Sequence, residues 1–201
     1  MKELRKKTGR PLSFDRANAL EHAMLAFWRH GYETTSVAAL TAAMGITAPS
    51  LYAAFGDKQS LFLEAMRLYA GDSASIGAAL EQAPSARAGI DAMLQASATA
   101  FTGESTPAGC LLASATASGS QASAPVQQAV AEIRATIAAL LRRRIEGDIA
   151  AGRLPPHIDA QAVADLVIGV VQGMSVLARD GVPRARLQAL ARSALAALPE
   201  S

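Results

Sequence analysis

The sequence predicts an all-α protein, and three observations predict it. Of its 201 residues, 51% are apolar, ample for a core, and much of that share is alanine, the strongest helix former. Runs of alternating Val, Ile and Thr bounded by turn residues, the mark of strands, are missing. Apolar residues instead recur three and four apart, in segments punctuated by glycine and proline. The length suits one ordinary domain, or a small module followed by a larger one.

Pro11 and Ser13 open the first helix, with Ser13 as N-cap and Asp15 favourable in the first turn. Leu20, Met24 and Phe27, with Trp28 beside them, form its buried stripe, and Gly31 ends it. Thr34 or Thr35 caps a second, short helix whose inner face is Val37, Leu40 and Met44; Gly45 closes it. Thr47 caps the third, where Pro49 fits the first turn because a missing N–H there leaves nothing unsatisfied. Leu51 and Phe55 face inward, leaving Ala48, Ser50, Tyr52 and Ala53 on other faces. Gly56 ends this helix, and Asp57 caps a fourth with Leu61, Ala65 and Leu68 inward and Phe62, Met66 and Tyr69 alongside. Beyond Gly71, helices are expected at about 85–102, 108–117, 125–151, 160–179 and 184–198, with Pro155-Pro156 and Gly181-Val182-Pro183 as the last joints.

Composition narrows the function. Residues 1–10 hold Lys2, Arg5, Lys6, Lys7 and Arg10 against Glu3, so the rest of the chain is slightly acidic. Such an arm fits nucleic acid or a solubilising tail. Cys110 is the sole cysteine, which excludes an intramolecular disulfide and a cysteine-rich zinc site. His22, His30 and His157 lie far apart without metal-ligand spacing, and no G-x-S-x-G or phosphate loop occurs. No metal, cofactor or catalysis is expected. The start lacks the apolar core of a signal peptide, and the most apolar run, 166–178, contains Gln172 and falls short of the about 20 residues that span a bilayer. A soluble, cytoplasmic protein is the expectation.

Two short helices joined across Gly45-Ile46-Thr47, braced before and after, read as a helix-turn-helix at about 33–55. A generic bundle with short loops has the same punctuation; the basic arm favours DNA. The third helix is short and carries small outward side chains, which suits a major groove about 12 Å wide.

These residues resemble a known family. The stretch from Phe27 to Phe62, with G-Y after the first helix, T-T opening the second and G-I-T-x-x-x-L-Y-x-x-F-x-x-K-x-x-L, is similar to the DNA-binding domain of tetracycline-repressor-type (TetR) regulators. The match covers about 10–70, leaving 71–201 as an effector-binding and dimerisation domain in which P-A-G-C-L-L at 107–112 is similar to a segment of some members. The resemblance implies that Thr35, Tyr52 and Lys58 contact phosphates, and that Thr47, Pro49 and Ser50, with Ala48 and Ala53, sit over base edges. Tyr and Lys orient a protein on the backbone without reading sequence, whereas Ser and Thr bond several bases and Pro or Ala meets a thymine methyl. Two features depart from the pattern. Thr41 stands where Ala is usual and needs a partner for its hydroxyl, and the recognition helix has no Arg or Lys for a bidentate guanine contact. Arg10, in a minor groove, is expected to compensate.

Few charges lie between Ile90 and Leu141, so those helices bury most of their surface. Met66, Met93, Phe101, Cys110 and Gln172 are candidates for an apolar effector pocket or for ordinary core. Cys110, without nearby cations in sequence, reads as an inert buried thiol or a reactive sensor. Val163, Val167, Val170, Val171 and Met174 form one apolar seam, with Gly169 and Gly173 allowing close approach; Leu187, Leu190, Ala191, Ala194, Leu195 and Leu198 form another. They suit burial within one subunit or a homodimeric four-helix interface. A two-fold dimer would read a palindromic operator with half-sites about 34–36 Å apart or somewhat more. The expected function is a DNA-binding regulator, most simply a homodimeric repressor released by a small effector. An activator or corepressor-dependent protein is the alternative, and a helical carrier or enzyme is the rival class.

Overall fold

The computed structural model describes residues 14–114 and 124–198. Among these it has ten helices: α1 Arg16–His30, α2 Val37–Met44, α3 Ala48–Phe55, α4 Lys58–Ala70, α5 Ser73–Gln82, α6 Ala86–Phe101, α7 Leu111–Ser114, α8 Ala124–Ala150, α9 Ala160–Arg179 and α10 Arg184–Ala196. We call α1–α4 the head and α5–α10 the body.

The caps explain several boundaries. Asp15 is the N-cap of α1, its carboxylate accepting from the amides of Ala17 (2.9 Å) and Asn18 (3.2 Å); Ser13, expected there, lies outside the described residues. Ser36, and not Thr34 or Thr35, caps α2 by accepting from the Ala39 amide at 3.1 Å. The two threonines are otherwise engaged, donating to the carbonyls of His30 and Gly31 and lacing the turn to the end of α1. Thr47 and Asp57 cap α3 and α4 as expected. Gly45 takes the left-handed conformation (φ 66°, ψ 31°) that closes α2.

Other departures have steric causes. The buried face of α1 is Ala19, Ala23, Ala26, Phe27 and Trp28, with Leu20 and Met24 only partly covered on its flank. Leu68 on α4 is 44% exposed, not inward. Helix α5 was not foreseen: Gly77 and Leu80 are its buried residues, too sparse a stripe to register as a period. The helix expected at 108–117 is described only as α7, because Gly109 (φ 79°) breaks the run ahead of it.

One apolar core runs through both parts, from Phe27, Leu40, Leu51 and Phe62 by way of Met66 to Leu94, Leu111, Leu141, Met174 and Leu187. Phe62 anchors the head end, edge-on to Phe27 and Tyr32 at 4.9 Å each. In the body, the buried Asp148 carboxylate accepts from the Ala86 amide (2.7 Å), from Arg153 (2.8 and 3.0 Å) and from Arg144. Arg144 also donates to the carbonyls of Leu80 (2.8 Å) and Ala83 (3.0 Å). That clasp joins α5, α6 and α8.

Helix α9 has 20 residues and is apolar enough to cross a membrane by length and composition, more than the 13-residue run suggested. Its stripe of Ala164, Val167, Val171, Met174, Ser175 and Ala178 is nevertheless buried in the body. The seams expected at a dimer interface are therefore largely interior. Val167, Val171, Met174, Leu187 and Ala191 are buried within the chain, and Val163, Val170, Leu190, Ala194 and Leu195 are partly so. What α9 leaves open is a different stripe: Leu166 (48% exposed), Gly169, Gly173, Val176 (56%) and Leu177 (36%). Because α9 is apolar on several sides, spacing alone could not separate the two faces.

Candidate nucleic-acid interface

Helices α2 and α3 meet at 89°, close to the angle of DNA-binding helix pairs. In α3, Leu51 and Phe55 turn into the core, while Thr47, Ala48, Pro49, Tyr52 and Ala53 are exposed and Ser50 is half-buried. Tyr52 is the large apolar side chain of this surface, 50% exposed. Thr47 accepts from the Ser50 amide at 3.4 Å, and the two hydroxyls share a hydrogen bond of 2.9 Å. The bond that starts the helix thus also orients the two hydroxyls toward each other. Thr41 finds the expected partner, donating to the Ala38 carbonyl at 3.0 Å.

Lys58 stands at the first turn of α4, with its ammonium 4.6 Å from the centre of the Tyr32 ring and donating to the Glu33 carbonyl at 3.3 Å. Partial desolvation holds its pKa below the ordinary lysine value, against the pull of Glu33. Thr35 differs from its expected role. It is 1% exposed and its hydroxyl donates to the Gly31 carbonyl at 2.6 Å, so its side chain braces the loop and does not face a phosphate. Arg10 lies outside the described residues.

Sequence reasoning missed Arg16. Its guanidinium donates to the Glu64 carboxylate at 2.9 and 2.7 Å and to the Ala54 carbonyl at 3.2 Å, and covers the Phe55 ring at 4.3 Å. One side chain from α1 therefore holds the end of α3 and the middle of α4. A separation of 48 residues between Arg16 and Glu64 leaves no local signal by which the pair could be found.

The pocket candidates do not meet in one cavity. Met66, Phe101 and Cys110 are buried, and Met93 and Gln172 are half-buried. Of these, Phe101 lines an open cleft with Thr102, Ala178 and Val182. Cys110 belongs to the joint between head and body: its sulfur accepts from the Tyr69 hydroxyl at 3.3 Å and its amide donates to Ser175 at 2.8 Å. Burial, and then the neighbouring thiol, push the Tyr69 phenol far above its usual pKa, so it stays a donor. A cavity of about 210 Å³ between α4, α5 and α8, lined by Arg67, Ile76, Ile133 and Ile137 among others, was not foreseen. No cluster of metal-binding side chains occurs among the described residues.

Comparison with known proteins matches two stretches of the chain. The family "Bacterial regulatory proteins, tetR family" matches residues 19–65, and "Tetracyclin repressor-like, C-terminal domain" matches 86–194. The chain belongs to the TetR family of transcriptional regulators. The HTH-type transcriptional repressor ComR of Escherichia coli (strain K12) is 34% identical over 199 residues, 98% of this chain and 95% of ComR. A cysteine-substituted variant of the TetR-family regulator CifR, solved with 26-bp double-strand operator DNA, is 43% identical with a TM-score of 0.89, covering 95% of this chain and 100% of that one. A putative TetR regulator from Rhodococcus sp. RHA1 is 34% identical at a TM-score of 0.63, over 93% of this chain and all of that one. The regulator is a DNA-binding protein.

Proposed function

We propose that this regulator is a homodimeric repressor that leaves a palindromic operator when a small effector binds the body. The observation that carries the reading is the exposed surface of α3, five uncharged residues with one aromatic, set at 89° to α2 and clear of the core. In this reading Tyr52 and Lys58 position the head on phosphates, and Thr47, Ala48, Pro49, Ser50 and Ala53 meet base edges. Arg10 enters the adjacent minor groove. Names of the relatives support repression: ComR is a repressor, and CifR was solved on operator DNA.

Dimerisation belongs to the open stripe of α9, where Leu166, Gly169, Gly173, Val176 and Leu177 repeat at helical spacing and an added Cβ at either glycine meets nothing within 4 Å. On α10, Leu190, Ala194 and Leu195 are only partly covered. Helix α4 is the lever for the effector, because it begins at Lys58 on the DNA side and ends at Tyr69 against Cys110. The effector releases DNA only through tighter binding to the DNA-incompetent arrangement, by a few kcal/mol at most.

Selection of bound duplexes from a random library tests the proposal. One enriched palindrome with half-sites about one helical turn or more apart is expected. Binding without enrichment, lost steeply as salt rises, would reduce the protein to an electrostatic DNA binder and end the repressor reading.

A further inference from the structure

A cleft of about 370 Å³ opens where head meets body, lined by Trp28, Arg29, Pro107, Ala108 and Arg179. It lies away from the DNA side. Trp28 packs edge-on against Tyr69 at 4.8 Å, in the last turn of α4, whereas Lys58 begins that helix about 17 Å away along its axis. Operator phosphates held at Lys58 are therefore a helix length from the cleft.

Its charge is one-sided. Two guanidiniums line it and no carboxylate does; Glu104 and Asp180, near in sequence, are not among its walls. Arg29, in the last turn of α1, makes no hydrogen bond or ion pair among the described residues. Arg179, in the last turn of α9, makes one hydrogen bond there, from Nη2 to the Trp28 carbonyl at 3.0 Å. It is held in place from behind. A Cβ on Gly109 would lie 2.8 Å from Arg179 Nε and 2.8 Å from the Ser175 carbonyl, so this glycine leaves room for the Arg179 side chain. A guanidinium offers five N–H donors in a fixed fork, and most of those on Arg179 remain for a ligand. The other walls are apolar: Pro107, Ala108 and Trp28, whose indole N–H already donates to the Gly109 carbonyl at 3.1 Å.

We propose that this cleft binds a small aromatic carboxylate, its charge held between Arg29 and Arg179 and its ring against Trp28 and Pro107. A carboxylate suits guanidinium donors, which can bind it bidentately, and a flat apolar body matches walls that offer no further polar side chain. Because Arg29 belongs to the head and Arg179 to the body, the bound anion ties the two together and fixes the tilt of the head. That consequence rests on the repressor reading; binding itself does not, and is measured without DNA.

Trp28 is the sole tryptophan of the chain, so its emission reports on the cleft directly. The full-length protein is titrated at constant ionic strength with benzoate, with benzamide as the uncharged isostere, and with inorganic phosphate; calorimetry repeats each titration. Benzoate is expected to saturate in the millimolar range or tighter, with benzamide and phosphate at least about tenfold weaker. Arg29→Gln, on an exposed helix end, is expected to weaken benzoate at least about tenfold with its circular dichroism unchanged, and Arg179→Lys to do so partially. Equal responses to benzoate and benzamide, or an Arg29→Gln protein that titrates like its parent, would overturn the proposal. Phosphate binding as tightly as benzoate would overturn the aromatic class, and absence of both heat and emission change would remove the site.

Discussion

In the proposed reading, Ser50 and Lys58 answer different questions on DNA. Ser50 is half-buried and shares its hydroxyl bond with Thr47, so Ser50→Ala should change base preference at one position per half-site while leaving non-specific affinity near its original value. Lys58→Ala should weaken binding to every sequence and lower the salt slope by about 1. Anisotropy titrations against an operator and its single-base variants, at several salt concentrations, separate the two. Asp148 is the residue on which the body's stability is most exposed to acid. Burial pushes its carboxyl up, but the Ala86 amide, Arg153 and Arg144 outweigh that and hold it below the usual carboxylate range. Its contribution is thus complete above about pH 4, the ordinary aspartate value, and drains away as pH falls through the lower folded value. Asp148→Asn leaves Arg144 facing a neutral amide and should lower stability by about 3–5 kcal/mol, read as a shift in urea midpoint at pH 7. The same urea titration at acid pH should find the variant and parent converging.

Among the elements, α3 is the one whose setting matters most in the proposed reading, and Arg16 holds its end. Arg16→Ala removes the link to Ala54 and Glu64; since both charged side chains keep substantial exposure (40% and 30%), the loss of stability should be about 1 kcal/mol or less. Operator affinity should fall further than non-specific affinity, and Arg16→Lys should recover only part of it because a lysine lacks the fork. Equal losses for operator and random duplex would show that Arg16 stabilises the fold without aiming α3. These elements were legible to different degrees. The start of α3 and the closure of α2 were plain, since Thr47, Pro49 and Gly45 act through local backbone chemistry. The start of α2 was not, because Thr34, Thr35 and Ser36 offer three adjacent hydroxyls and only the packing against α1 decides which one caps. Arg16 was invisible because its partners are distant in sequence, and α5 because its small residues bury little.

For the whole molecule, the proposed homodimer makes the open face of α9 the surface that sets the number of heads. Val176→Glu or Leu166→Glu places a charge where a second copy would pack, and neither residue supports the chain's own core. Sedimentation should show monomers, with operator affinity falling by orders of magnitude and secondary structure intact. A dimer that survives both changes would place the interface elsewhere. The interior shared by head and body has one more consequence. Phe62, Ala65 and Met66 belong to the same unbroken cluster as Leu111 and Met174, so neither part owns a complete interior. Cut loose at residue 70, the head would carry part of that interior into water. Heated intact, head and body should melt together in a single cooperative transition, and a mutation deep in the body would loosen the grip on DNA without touching it.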